Sequence, residues 1–454
     1  MKKLIKLNIN NAKDFLRAYG IFLLIIALGL QLKFHSIESK YFWYDEIETI
    51  MHTSGIPDKN YDAQFALNEV KNIDFYQDKL RLNTQDYSMY SQITGVFSMP
   101  QLTPLHPLLL IFWSKIVGDE FVHYRLFNTF LFFLLLPFLF LLCKTLFKSN
   151  ESGWIALSLI AVSPFFDIYT KEARYVILWT FFIILNSYFF LKAYENNKKI
   201  WWWCYSVSGI LLMYASLLSG LLILSQLIVV AIVFKRYYTP FFLSILIITI
   251  AYLPWMINIG IHIEEIFQSL QWHKSGQSSS FYTPFIGQFI GFAHVFISFE
   301  NVIWSYVHIF LTPGGFRFTF DLVLAGIMII LILISFINML KNGRHVARGI
   351  VLSLIIVPLT TFWLYDLIFV GRISFLWRYQ VVAFIGILLV VTHFLHYLYT
   401  TKNKLFKVIF IVLSLFGIFS IYIVSLNKCY TTLGSCNGWD NFNIAERISH
   451  STGH

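Results

Sequence analysis

Residues 41–50, YFWYDEIETI, place three carboxylates, Asp45, Glu46 and Glu48, within four positions. Adjacent carboxylates resist ionising together, which can raise the pKa of one of them. Such a pair suits a general base, a divalent-metal ligand, or both, and the same residues also suit a hydrated loop face. Tyr41, Phe42, Trp43 and Tyr44 are residue types that settle at the lipid headgroup level, so the carboxylates lie near an interface rather than in bulk water.

Other chemistry-bearing residues gather in a few stretches. SPFFDIYTKEARY, residues 163–175, carries Asp167, Glu172 and Arg174, which serve either as site residues or as helix-end charges. TPLHPLLLIFWSKIVGDEFVHYRL, residues 103–126, sets His106 between Pro104 and Pro107, ahead of an apolar run too short to span. It predicts a helix lying along the interface, with His106 near the site or serving as a structural histidine. VGRISFLWRYQVV holds Arg372 and Arg378. Guanidinium forks bind phosphate oxygens bidentately, and arginines at this depth also snorkel to ordinary headgroups. His273 and Lys274 offer similar donors.

These residues must be positioned by a membrane scaffold. The 454-residue chain is 57% hydrophobic and only 13% charged, against roughly 25% in ordinary soluble domains. Its mean hydropathy is +0.66. That composition predicts an all-α polytopic membrane protein, because backbone groups in lipid need internal partners and the apolar runs have helical length. A transmembrane barrel would show alternating strands of about ten residues instead. Candidate spans are 14–34, 122–143, 152–168, 174–194, 201–218, 220–235, 239–257, 318–340, 348–370, 373–398 and 405–426. The apolar stretch 285–312 carries His294, Glu300 and Asn301 and reads as a re-entrant hairpin, two short spans or an interfacial helix. The N-terminus is basic and then apolar. Its apolar run is long for a signal peptide and no small-residue cleavage site follows, so it reads as a retained first span.

With the N-terminus in the cytoplasm, the inner segments collect Lys2, Lys3, Lys6, Lys13, Arg17, Lys144, Lys148, Lys192, Lys198, Lys199, Lys235, Arg236, Lys341, Arg344, Arg348, Lys402, Lys404 and Lys407. This is the positive-inside pattern, provided 285–312 crosses an even number of times. The net charge of +10 is explained by these loops, and no nucleic-acid motif competes. The outer segments then include a long first loop, about 35–103, with ten of the 24 acids. The expected organisation is one membrane domain, 1–426, and a short extracytoplasmic tail, 427–454. Cys429 and Cys436 in that tail are spaced to close a disulfide loop in an oxidising compartment, or stand as free thiols.

The ordered motifs resemble the GT-C glycosyltransferases, in the bacterial branch that is similar to dolichyl-phosphate-mannose protein mannosyltransferases and lipid A aminoarabinose transferases. The aromatic-flanked Asp-Glu is WYDEIETI. The interfacial helix, the Gly-Asp and the Arg-Leu are TPLHPLLLIFWSKIVGDEFVHYRL, with His106 and Pro107 where tyrosines are usual. The second outer loop is TKEARYVIL, with Lys171 and Tyr175 as departures, and a late Arg-Tyr is Arg378-Tyr379. The resemblance covers roughly the first 200 residues and this one late point. It implies a GT-C-like bundle of about 11–13 transmembrane helices with interfacial helices in the first outer loop. It implies an inverting enzyme of the bacterial inner membrane, acting in cell-envelope glycosylation. The sugar would move from a polyprenyl-phosphate donor to a lipid, glycan or protein acceptor on the extracytoplasmic face. Asp45 would be the base, and Glu46 would orient the acceptor or a divalent ion. Glu172 and Arg174 would contribute from the second loop. Arg372 or Arg378 would stabilise the departing phosphate.

No P-loop, G-x-S-x-G or H-E-x-x-H motif is present, which removes support for nucleotide-driven pumping and common hydrolase chemistry. A transporter or flippase of lipid-linked sugars would want polar residues through the middle of its spans. Here the mid-span segments are mostly Leu, Ile, Phe and Val, with charge at one face. A non-catalytic scaffold of the same fold is the remaining alternative.

Overall fold

The computed structural model describes residues 12–40, 42, 44–55, 72–83, 88–269, 283–298, 315–369 and 373–426, and among these it contains helices and no strand. Helix α1 (Ala12–Phe34) leads to four short helices, α2 (Tyr44–Ser54), α3 (Ile73–Lys79), α4 (Met89–Ser98) and α5 (Leu105–Val117). The bundle continues with α6 (Phe121–Phe147), α7 (Asn150–Ala161), α8 (Pro164–Thr170), α9 (Val176–Asn196), α10 (Lys199–Ala215), α11 (Gly220–Val229) and α12 (Tyr238–Ile261). It closes with α13 (Ile263–Ser269), α14 (Thr283–Ala293), α15 (Gly315–Asn342), α16 (His345–Phe369), α17 (Val381–Thr400) and α18 (Leu405–Leu426).

Eight helical segments among the described residues are long and apolar enough to cross a membrane, and a ninth if α7 and α8 form one broken span. Of the eleven expected spans, 14–34 and 201–218 correspond to shorter pieces. The apolar part of α1 is Ala18–Phe34, and α10 has 17 residues, against the roughly 20 of a straight crossing. The span expected from 373 begins at Val381, because residues 373–379 form two short 3-10 turns that end in Arg378-Tyr379. Helix α14 has 11 residues, short of a span, and 299–314 lies outside the described residues.

Short polar turns set the boundaries between spans. Helix α6 stops at Lys148, which adopts a left-handed backbone with φ 57°, and Ser149 then caps α7 by accepting the Glu151 N–H. Helix α9 ends the same way at Asn197, with φ 46°.

Helix α17 lies at the centre, with 89% of its apolar window buried, and α9 is nearly as enclosed. At the periphery, α12 and residues 323–342 of α15 bury only 28%. Leu243, Leu246, Ile250 and Leu253 of α12 recur at helical spacing and are all exposed. In water such a face would aggregate, whereas in a bilayer it is simply solvated. The chain is an integral membrane protein.

Two devices aim the bundle at the residues singled out by the sequence. Helices α7 and α8 meet at 63°. The break is wedged between glycines: a Cβ on Gly29 of α1 would lie 2.6 Å from the Ala161 carbonyl oxygen, and one on Gly417 of α18 would collide with that of Val162. Only a hydrogen side chain lets these helices close on the carbonyls that the break leaves behind. Helix α4 approaches α2 in the same way, since a Cβ on Gly95 would meet the His52 carbonyl oxygen at 2.7 Å.

Candidate active site

Asp45 and Glu46 occupy the first turn of α2, and their environments differ sharply. Glu46 is fully buried, and Arg125, in the first turns of α6, grips it bidentately: Nε donates to Oε1 at 2.9 Å and Nη2 to Oε2 at 2.8 Å. The backbone N–H of Ala173 also donates to Oε1, at 2.9 Å. The remaining Arg125 nitrogen donates to the Ile37 and Lys40 carbonyls at 2.9 and 2.8 Å, and its guanidinium lies over the Phe42 ring at 4.1 Å. A buried ion pair repays desolvation only when its donors and acceptors are all used, and this one fastens α2, α6, the 35–42 segment and the 171–175 loop at one point.

The 171–175 loop is the short link between α8 and α9. Asn128 of α6 holds its shape, with Nδ2 donating to the carbonyls of Glu172 and Arg174, the latter at 2.6 Å. Carbonyls only accept, so the Asn128 amide must turn its nitrogen to the loop and its oxygen toward His106. His106 Nε2, 3.2 Å away, therefore carries the proton. Burial pushes the His106 pKa down to about 3, which keeps the ring neutral. His106 stands behind the loop as a support.

This geometry delivers Arg174 to Asp45, where Arg174 Nη1 donates to Oδ2. Arg378, from the second 3-10 turn before α17, donates to the same oxygen at 2.6 Å. Each of these arginines precedes a tyrosine, and each guanidinium lies over that neighbour's ring, at 5.6 Å for Tyr175 and 5.5 Å for Tyr379. Asp366 of α16 shapes the Arg378 segment by accepting the Ile373 and Ser374 N–H groups at 2.8 and 2.9 Å. Glu172 completes the group, with Oε1 4.0 Å from Arg174 Nε. Burial pushes its carboxyl up to about 8, with Arg174 pulling it down and Glu46 pushing it up. Asp45 and Arg378 are the members that reach the surface, with side chains 14% and 13% exposed against 0% for Glu46 and Glu172.

A second buried charge cluster adjoins the first. Asp167 of α8 pairs with Lys33 at the end of α1, at 3.1 Å, and with Lys171 at 2.8 Å. Lys40 lies close by and donates to the Val424 carbonyl at the end of α18. Burial pushes the Lys40 ammonium down to about 7, with Lys171 adding to the effect.

The structure thus brings together Asp45, Glu46, Glu172, Arg174, Arg378 and Tyr379, and sets His106 behind them. Lys274, Arg372, Cys429 and Cys436 lie outside the described residues. Glu46 does not fit the expected metal-ligand role, because Arg125 and the Ala173 N–H take both of its oxygens. A cation at Asp45 Oδ2 would face two guanidiniums, and no group of three or more His, Cys, Asp or Glu is placed to hold a metal among the described residues. Arg125, Asn128 and Asp366 are site residues that the sequence alone does not single out. Their signal was available: polar groups a turn or so inside apolar segments, where an unpaired one is costly.

No protein-family model matches the chain, and no curated protein sequence matches it. Solved structures do. The crystal structure of ArnT from Cupriavidus metallidurans bound to undecaprenyl phosphate matches with a TM-score of 0.50 and 14% identity, covering 83% of this chain and 60% of that one. The Archaeoglobus fulgidus oligosaccharyltransferase in its apo form matches with a TM-score of 0.48 and 12% identity, over 89% of this chain and 55% of that one. The chain therefore spans under two thirds of the length of these structures. The likeness to ArnT shows the fold: this chain shares the helical architecture of that structure.

Proposed function

We propose that the chain is a membrane glycosyltransferase that moves a sugar from a polyprenyl-phosphate donor to a hydroxyl or amine acceptor, with inversion at the anomeric carbon. One observation carries this reading. Three remote segments, α2, the 171–175 loop and the turn before α17, converge to set a carboxylate, Asp45, against two guanidiniums at the exposed end of a buried charge network. The ArnT structure of the same fold holds undecaprenyl phosphate, a phosphate on a polyprenyl chain, and two arginines suit that headgroup.

In the proposed reaction, Asp45 takes the acceptor's proton as the acceptor atom bonds to the anomeric carbon. The bond from that carbon to the phosphate oxygen breaks, and the electron pair stays on the polyprenyl phosphate, which gains one negative charge beside Arg174 and Arg378. The leaving group is already a phosphate, so it needs positive charge more than a proton. One base suffices, whereas a glycosidase uses a pair of carboxyls flanking the bond. Glu46 acts as the fastening under the base, and no step is routed through a metal. The site faces the extracytoplasmic side of a bacterial inner membrane, with the N-terminus in the cytoplasm, which the distribution of lysines and arginines supports.

The transporter alternative gains nothing from the mid-span polar groups. Asn186, Tyr205, Ser208 and Gln226 bond to one another, Gln226 to Asn186 at 2.8 Å and Tyr205 to Gln226 at 2.7 Å, as a closed network between helices. The test is mass spectrometry of glycolipids and glycoproteins from cells with the gene, without it, and with Asp45→Asn. A glycan that depends on the gene and vanishes in the Asn variant, with normal membrane levels of protein, is the expected result. Undiminished glycan in that variant overturns the base assignment, and an unchanged glycan profile without the gene overturns the activity.

A further inference from the structure

Asp45 Oδ2 accepts from both Arg174 and Arg378. These bonds engage Oδ2 and one nitrogen of each guanidinium, so a phosphate that takes the two Nη1 groups must displace the carboxylate oxygen from them. The base and the phosphate of the proposed reaction therefore compete for the same two nitrogens. We infer that Asp45 is a placeholder for the donor's phosphate: on binding, the lipid phosphate displaces the Asp45 carboxylate from the Nη1 groups of Arg174 and Arg378. This rests on the function proposed above and adds what holds the anion site before the donor arrives.

Three observations favour exchange at Asp45 over its neighbour. Glu46 is closed off, with its oxygens taken by Arg125 and a backbone N–H and its side chain inaccessible, so no anion can compete with it. Asp45 and Arg378 are the least buried charged members of the network, where a lipid headgroup can arrive. The anchors of the two arginines do not depend on Asp45: the carbonyl of Arg174 is held by Asn128, and the turn carrying Arg378 is held by Asp366. Both guanidiniums can exchange one anion for another while their backbones stay in place.

The consequence has an unusual sign. Removing the catalytic carboxylate should tighten donor binding, because the competent arginine pair is no longer shared and apparent affinity scales with the competent fraction. The experiment measures undecaprenyl phosphate binding to the purified full chain in nanodiscs, with no acceptor and no turnover. Asp45→Asn is expected to lower the Kd by about tenfold, Asp45→Ser should act the same way, and Arg378→Ala should weaken binding. The double variant Asp45→Asn with Arg378→Ala should bind no better than Arg378→Ala alone. Unchanged or weaker binding in both Asp45 variants overturns the inference, as does full tightening in the double variant. Tightening for inorganic phosphate with none for undecaprenyl phosphate overturns it too, since the placeholder would then answer to any free anion and not to the lipid. If binding does not tighten while Asp45→Asn still abolishes transfer, this inference fails and the proposed function stands.

Discussion

At the scale of single residues, the molecule separates two adjacent carboxylates by their partners. Glu46 is a buried ion locked to Arg125, and breaking such a pair from one side leaves an uncompensated charge that typically costs about 3–5 kcal/mol. Arg125→Ala should therefore lower the thermal midpoint of the detergent-purified protein far more than Arg378→Ala does. Arg125→Lys should recover part of the loss, because an ammonium keeps the charge without the fork. Near-equal midpoints for wild type and Arg125→Ala would contradict the fastening role. Glu172 predicts a pH effect. Its folded pKa, pushed up to about 8 chiefly by burial, exceeds the ordinary carboxylate value, so the folded state holds a proton that the unfolded chain releases. Stability from this group is present at low pH and is lost as pH rises toward and through 8. A melting series across that window should slope downward, and Glu172→Gln should flatten it; an unchanged slope in the Gln variant would count against a protonated Glu172. The sequence marked Asp45, Glu46, Glu172, Arg174 and Arg378 because charged side chains in so apolar a chain stand out. It did not separate the roles of Asp45 and Glu46, because those roles depend on Arg125 and the Ala173 N–H, 79 and 127 residues away from Glu46.

Among the elements, the turn between α16 and α17 decides where Arg378 points. Asp366 supplies acceptors for two consecutive backbone N–H groups, bonds to a charged group that are worth roughly 1.5–3 kcal/mol each. Asp366→Ala should loosen the turn and raise the KM for a polyprenyl-phosphate donor by about tenfold, since about 1.4 kcal/mol of lost positioning already suffices. Its kcat should fall less, and Asp366→Asn should lie between the two. A purely structural Asp366 would lower the amount of folded protein and leave KM alone. The broken α7–α8 helix was legible only as one span, 152–168, because its bend follows from tertiary contacts. Gly29 and Gly417 come from distant helices, and no local pattern announces that they converge on residues 161 and 162.

Across the whole molecule, composition and the lengths of the apolar runs carried the architecture well. The long apolar runs became spans because lipid leaves the backbone no other economical way to satisfy itself. Of the short helices between α1 and α6, α5 was foreshadowed by the short apolar run at 105–117. The central position of α17 was not legible, since Val381–Thr400 falls between the peripheral α12 and α15 in apolarity and only packing distinguishes it. The Lys33–Asp167 pair has a consequence for biogenesis. Ribosomal synthesis delivers Lys33, at the end of α1, more than a hundred residues before its counter-ion. Until α8 emerges and turns through its 63° bend, that ammonium has no buried anion to meet and must stay hydrated. The first helix is thus threaded early but docked late, so final assembly of the N-terminal half awaits the same segment that brings Glu172 and Arg174 to the site.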